Sequence, residues 1–313
     1  MSGELATGLT LLLSARRYFA GQAVSRSVGA CLARADAATL AEGDLAQQRR
    51  PFEISPSGAW SSAALMEATA RGRAEVEPFQ WLRADPVWLQ PDITTARLMA
   101  WGNLGLSHED SASLLRELKP VFGDAGFILE SRESECWVLQ VPRASSLPQF
   151  PHPLDALGDD AFPHLPQGAD ARRWRTLLGE VQVLMHHHPV NAARAARGLP
   201  PANSLWFWGA GALPNAVRCR FARVASADPE LRAYAQAAGA QVTDAVNAAV
   251  PGLMDLRAER AWSVVEDVLG VAVAALKQGA LGRIDLDFAD GFAYTLRRSQ
   301  AWRIWRRPLT MLS

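Results

Sequence analysis

The sequence predicts an α/β protein: a mixed sheet flanked by helices, with a smaller α+β lobe set into it. Three observations carry this expectation. Gly8–Ser14 (GLTLLLS) and Ser204–Trp208 (SLWFW) are short, continuous apolar runs of the kind that fill the middle of a sheet. Strand and helix patterns alternate through residues 170–313, as layered α/β folds require. Between them, residues 77–142 combine short aromatic strands with one helix.

Each element has its own local reason. After Gly8–Ser14, weakly periodic helical stretches run to about Ala70, broken by Pro51, Pro56, Ser57 and Gly58. Phe79–Arg83, Val87–Leu89 and Arg97–Trp101 are aromatic-rich and punctuated by Pro86 and Pro91, which favours strands. Ser107 precedes His108-Glu109-Asp110, an N-cap followed by acidic residues, and Leu114, Leu115, Leu118 and Phe122 follow at helical spacing. That helix is expected to end near Gly123. Phe127–Glu130 and Cys136–Val141 read as an antiparallel pair. Residues 143–169 hold five prolines and form a Pro-rich connection.

Beyond that connection, Trp174, Leu177, Leu178, Val181 and Met185 line one face of a helix that stops at Pro189. A short helix over Asn191–Arg197 precedes Ser204–Trp208, which is expected to end at Gly209-Ala210-Gly211. Asp228-Pro229 starts another helix with an N-cap and a proline at the first position. Trp262, Val265, Leu269, Val273 and Leu276 mark a long helix ending at Gly279. Ile284–Phe288 and Phe292–Leu296 form a hairpin across Asp290-Gly291. The expected organisation is therefore 1–76 in the α/β layer, 77–142 as the lobe, 143–169 as the connection and 170–313 as the rest of the layer.

The chain has 313 residues, 49% hydrophobic and 20% charged, which excludes a disordered or fibrous protein. Thirty-two basic residues balance thirty-two acidic ones, so no global field draws the chain to nucleic acid or to an anionic membrane, and neither partner is expected. The first apolar run is too short for a signal peptide or a membrane span, and a cytoplasmic location is expected. Cys31, Cys136 and Cys219 are odd in number and far apart, which argues for buried thiols rather than disulfides or a zinc site.

Few side chains suggest chemistry. Consecutive His186, His187 and His188 point about 100° apart on a helix and cannot converge on one ion, so no metal or other cofactor is expected. His188, Asn191, Arg194, Arg197 and Asn203 are donors within sixteen positions, a set suited to a phosphate or carboxylate. The competing reading is a solvated helix face with Asn191 as its cap. Gly209 and Gly211 after a buried strand resemble a phosphate-cradling turn, against the simpler reading of a tight turn. Asp285 and Asp287 alternate on one strand beside Asp290, as a site or as protection of a sheet edge. Arg297, Arg298, Arg303, Arg306 and Arg307 interleave with Trp302 and Trp305. Such a tail can bind nucleic acid, but tryptophans at i, i+3 more often dock a terminal helix on the core, and docking is the expectation. No nucleophile motif occurs.

The segments RADPVWLQPD (Arg83–Asp92), HPVNAARAARGLPPANSLWFWGAGALP (His188–Pro214) and WRIWRRP (Trp302–Pro308) resemble the RpfE-type bacterial regulatory proteins over nearly the whole chain. The middle block is also similar, over about residues 77–215, to archaeal-type cofactor-independent phosphoglycerate mutases of the alkaline phosphatase superfamily. That second resemblance implies two metal ions held by Asp and His, with a serine that takes the phosphoryl group. The ligand motifs are missing here: Gly8–Ser14 runs into Arg16-Arg17 instead of an Asp-Gly strand end, and no histidine follows His188. The resemblance thus implies an alkaline-phosphatase-like remnant, a non-catalytic regulatory or interaction protein that keeps a pocket for a phosphorylated or carboxylate metabolite and binds an unknown protein partner. The alternatives are an active phosphoglycerate mutase or phosphatase, and a nucleic-acid accessory using the tail.

Overall fold

The computed structural model describes residues 7–56, 60–92, 95–168, 170–244 and 247–312. Its strands, in chain order, are β1 (Gly8–Leu13), β2 (Asp36–Thr39), β3 (Phe52–Ser55), β4 (Phe79–Pro91), β5 (Ala96–Trp101), β6 (Ile128–Glu133), β7 (Cys136–Pro142), β8 (Ser204–Ala212), β9 (Ala216–Cys219), β10 (Arg223–Ala225), β11 (Gln241–Thr243), β12 (Gly252–Leu256), β13 (Arg283–Phe288) and β14 (Phe292–Leu296). The helices are α1 (Arg26–Arg34), α2 (Asp44–Arg49), α3 (Ser62–Arg71), α4 (Arg73–Val76), α5 (His108–Asp124), α6 (Ala171–His187), α7 (Pro189–Ala196), α8 (Pro229–Ala237) and α9 (Trp262–Gln278). The chain divides into two units, one of Met1–Ile54 with Ala216–Ser313, the other of Ser55–Asn215.

The first unit is a mixed α/β layer. Its seven-stranded sheet runs β11-β10-β12-β1-β13-β14-β2, with β11 through β13 parallel and β14 antiparallel to both neighbours. All six residues of β1 are buried, because it lies between β12 and β13. Leu9, Leu11 and Leu13 pack in one core with Val28 and Leu32 of α1 and Trp262, Val265 and Leu269 of α9. The Asp290-Gly291 turn forms as expected, and Gly291 has φ 76° there. A Cβ on Gly291 would meet the Leu40 carbonyl oxygen at 2.6 Å, so both the turn and the close approach select glycine.

The second unit is built on an antiparallel sheet ordered β5-β4-β7-β6, with β8 paired along the other edge of β4. Leu114, Leu118 and Phe122 of α5 pack with Trp137 and Leu139 of β7, Trp174 and Leu178 of α6, and Phe207 of β8. Phe127 stacks on Trp174 at 5.0 Å. The Ser107 hydroxyl accepts the Asp110 N–H, as the cap reading requires.

Several expectations need correction. β1 and β8 lie in different sheets, so Ser204–Trp208 belongs with the α+β strands and not with the α/β layer. The inserted unit is accordingly wider than 77–142, and residues 170–215 fall within it. Phe79–Arg83 and Val87–Leu89 are one 13-residue strand, since Pro86 sits in β4 opposite Leu205 without ending it. Residues 143–169 are no boundary: Phe150 packs on Trp174 and Phe207, and Pro151 O accepts the Trp206 indole N–H at 3.0 Å. β8 continues through Gly209 and Gly211 to Ala212. Cys31, Cys136 and Cys219 are free and only partly buried.

Candidate functional site

Open α/β sheets bind ligands outside the carboxyl ends of their parallel strands, because loops and helix N-termini converge there. In the first unit that edge carries Ser14 after β1, Ser226 and Asp228 after β10, Asp255 and Arg257 at the end of β12, and Asp287 on β13. The arrangement is polar, and its centre is a guanidinium. Arg257 donates from Nε to Asp255 Oδ1 at 2.8 Å and from Nη2 to Asp255 Oδ2 at 2.8 Å, a bidentate pair. The same Nη2 reaches Asp228 Oδ2 at 2.7 Å, so one cation bridges two carboxylates from different strand ends.

The surroundings fix this geometry. Asp255 Oδ2 also accepts the Ser226 hydroxyl at 2.7 Å, and Ser226 Oγ accepts the Asp228 N–H at 3.0 Å. Asp228 Oδ1 caps α8 by accepting the N–H groups of Glu230 and Leu231 at 2.8 and 3.2 Å. Gln48 Nε2 donates to Glu230 Oε2 at 3.1 Å, and Tyr234 donates its hydroxyl to Glu230 Oε1. Burial opposes charge on Asp255, but the Arg257 guanidinium and the Ser226 hydroxyl outweigh it and hold that carboxyl below the usual range. Burial likewise works against the charged guanidinium, yet Asp255 and Asp228 keep Arg257 more firmly protonated than an ordinary arginine.

Beside this centre, Asp287 pairs with Arg50, while Gln47 Nε2 donates to the carbonyls of Leu13 and Asp287 at 3.0 and 2.5 Å. Burial pushes the Asp287 carboxyl up, only partly offset by Arg50. Asp285 is held by Arg283 and Thr295, and Asp290 by Arg16 at 2.9 Å. Three of these carboxylates were visible as strand and turn residues; each is committed to a side chain of the chain itself.

The donor set read from the sequence lies in the second unit, where it braces backbone. Arg194 is fully buried, and its three nitrogens donate to the carbonyls of Pro200, Gly105 and Leu104 and to Asp110. Arg197, 50% exposed, shares that face as i, i+3 spacing requires, and it also meets Asp110 Oδ2 at 3.2 Å. The anion that joins the two arginines is therefore the chain's own Asp110, whose charge burial opposes and Arg197 and Ser107 favour, leaving it below the usual carboxylate range.

Asn191 is not a cap: it is buried, donating to Met185 O and Ala202 O and accepting the Ala202 N–H. His188 caps α7 by accepting the Val190 N–H at Nδ1, and Asn203 pins the backbone of Leu89 from both sides. A Cβ on Gly209 would meet Ser62 Oγ at 2.4 Å, so this glycine admits α3 against the strand instead of cradling a ligand. His186 and His187 are exposed, and among the described residues no group of three His, Cys, Asp or Glu side chains is placed to hold a metal ion.

No family model matches the chain. Segments of it are similar to several 2,3-bisphosphoglycerate-independent phosphoglycerate mutases. One, from Methanothrix thermoacetophila, is 33% identical over 139 residues, which are 43% of this chain and 32% of that protein. Another, from Methanosarcina mazei, is 39% identical over 63 residues, 20% of this chain and 16% of that protein. The matched part spans less than half the length of these relatives. A solved cofactor-independent phosphoglycerate mutase from Thermoplasma acidophilum aligns with 94% of this chain and 90% of its own length, at 15% identity and a TM-score of 0.42. The sequence similarity supports a phosphoglycerate-mutase-like scaffold.

Proposed function

We propose that this chain is a non-catalytic regulatory or interaction protein of the RpfE type, built on a phosphoglycerate-mutase-like scaffold. The observation that carries the reading is Arg257, whose guanidinium sits between Asp228 and Asp255 at the ligand-binding edge of the parallel sheet. Two-metal phosphoryl transfer needs carboxylates and imidazoles free to clamp two divalent cations. Here the two nearest carboxylates are already neutralised by a cation on a covalent stem, and no histidine lies on this unit. The residues present do not fit the metal pair that the scaffold implies, and no transfer step is assigned to them.

The testing experiment is turnover of 3-phosphoglycerate and of a generic phosphomonoester by the purified chain, with manganese, magnesium or zinc added. No product above the protein-free blank is expected with any metal. Metal-dependent interconversion of phosphoglycerates would overturn the reading in favour of an active mutase.

A further inference from the structure

The carboxy-terminal tail inverts the arrangement expected of it. Its arginines do the docking: Arg303 donates to Asp36 at 2.6 Å and to Arg34 O at 2.9 Å, and Arg297 reaches Asp36 at 3.2 Å. Gln300 adds a third donor to the same carboxylate at 2.9 Å. Leu309 and Leu312 also pack against the core, but the larger apolar side chains of the tail are left outside. Trp302, Ile304 and Trp305 are 65%, 75% and 63% exposed, and Met311 is exposed as well. Trp302 and Trp305 lean on each other at 4.9 Å, so the two indoles form one exposed patch, with Ile304 between them in sequence.

We propose that this patch docks on an anionic lipid surface. Large apolar side chains held together in water mark an interaction site, since scattered single residues are the ordinary case. From Gly291 to Ser313 there is no acidic residue, whereas Arg298, Arg306 and Arg307 are exposed within that stretch, and among the described residues none of these three is paired with a carboxylate. An interfacial anchor combines tryptophan and aliphatic side chains, which enter the headgroup region, with arginines that meet lipid phosphates. The mixture decides against single-stranded nucleic acid: bases stack on open aromatic faces, whereas Ile304 and Met311 offer none and the two indoles partly cover each other. Neutral overall charge does not oppose the docking, because the attraction is local and decays within a Debye length.

The experiment is co-sedimentation of the full chain with vesicles of phosphatidylcholine alone, or with about 30% phosphatidylglycerol added as the anionic lipid. The chain is expected to sediment with the anionic vesicles only and to be released at about 0.5 M salt. Trp302→Ala with Trp305→Ala should weaken the partition at least ~tenfold through lost apolar burial. Arg306→Gln and Arg307→Gln should weaken it about fivefold each. The replaced side chains are exposed, so melting temperatures should be unchanged; if the tryptophan variant unfolds, the arginine variants and the salt dependence decide. Equal partition into both vesicle types, or into neither, overturns the proposal. So does tighter binding to a single-stranded oligonucleotide, or self-association that buries the tryptophans.

Discussion

Arg257 sets the charge balance at the carboxyl edge of the parallel sheet, and its removal has a sharp expected cost. Arg257→Met keeps much of the stem but leaves Asp228 and Asp255 facing each other without a cation. Breaking a buried pair in this way typically costs about 3–5 kcal/mol. The loss should be largest near neutral pH and shrink in acid as Asp255 binds its proton. In the native chain Asp255 is held below its unfolded value, so its contribution is present above the unfolded pKa and fades as pH falls through the lowered folded one. Asp287 has the opposite sign. Burial raises it, so its charge is a cost at neutral pH, and Asp287→Asn should leave stability unchanged or increase it there. That difference should vanish below about pH 4, where the unfolded carboxyl is protonated as well. Melting temperatures of both variants from acid to neutral pH check the two signs.

Helix α7 shows how two arginines of like chemistry diverge once the elements pack. Arg194 ties α7 to the turn before α5 through the carbonyls of Leu104 and Gly105. Arg194→Ala removes a fully buried guanidinium and leaves the buried Leu104 carbonyl without its donor, and it should cost about 3–5 kcal/mol. Arg197→Ala, at a half-exposed position, should cost at most ~1 kcal/mol. Equal losses in chemical denaturation would contradict the packing account. On β4, Asp85 is buried and accepts from Arg83, from the indoles of Trp101 and Trp208, and from the Trp137 N–H. Asp85→Ala should therefore destabilise the antiparallel sheet by several kcal/mol, about 3–5.

Legibility followed the range of the signal at this same scale. Caps such as Ser107 and Asp228, the buried β1 and the β13–β14 hairpin are local, and the sequence shows them. β2 has four exposed residues with no alternation, so nothing in its sequence marks a strand. The centre of the candidate site is dispersed: Ser226 and Asp228 lie almost thirty positions before Asp255 and Arg257, and only the pairing of β10 with β12 brings them together. The donors around α7 were legible as donors, but the Leu104 and Gly105 carbonyls that take up two nitrogens of Arg194 come from about ninety positions earlier.

Across the whole molecule, each unit holds buried apolar clusters of its own, and the second unit is inserted in sequence between residues 54 and 216. Multi-unit chains commonly depart from a single two-state transition. Calorimetry should resolve two transitions, with Asp85→Ala lowering one and Arg257→Met the other; a single transition shifted equally by both would show one cooperative unit. The mutase-like scaffold, the missing imidazoles and the bridging guanidinium converge on one claim, that the ligand edge of the sheet is satisfied by the chain's own cation. Titration of manganese into the purified, metal-stripped protein tests it most directly. The account predicts no saturable binding near neutral pH. Stoichiometric manganese binding that is abolished by Asp228→Asn and Asp255→Asn would contradict it.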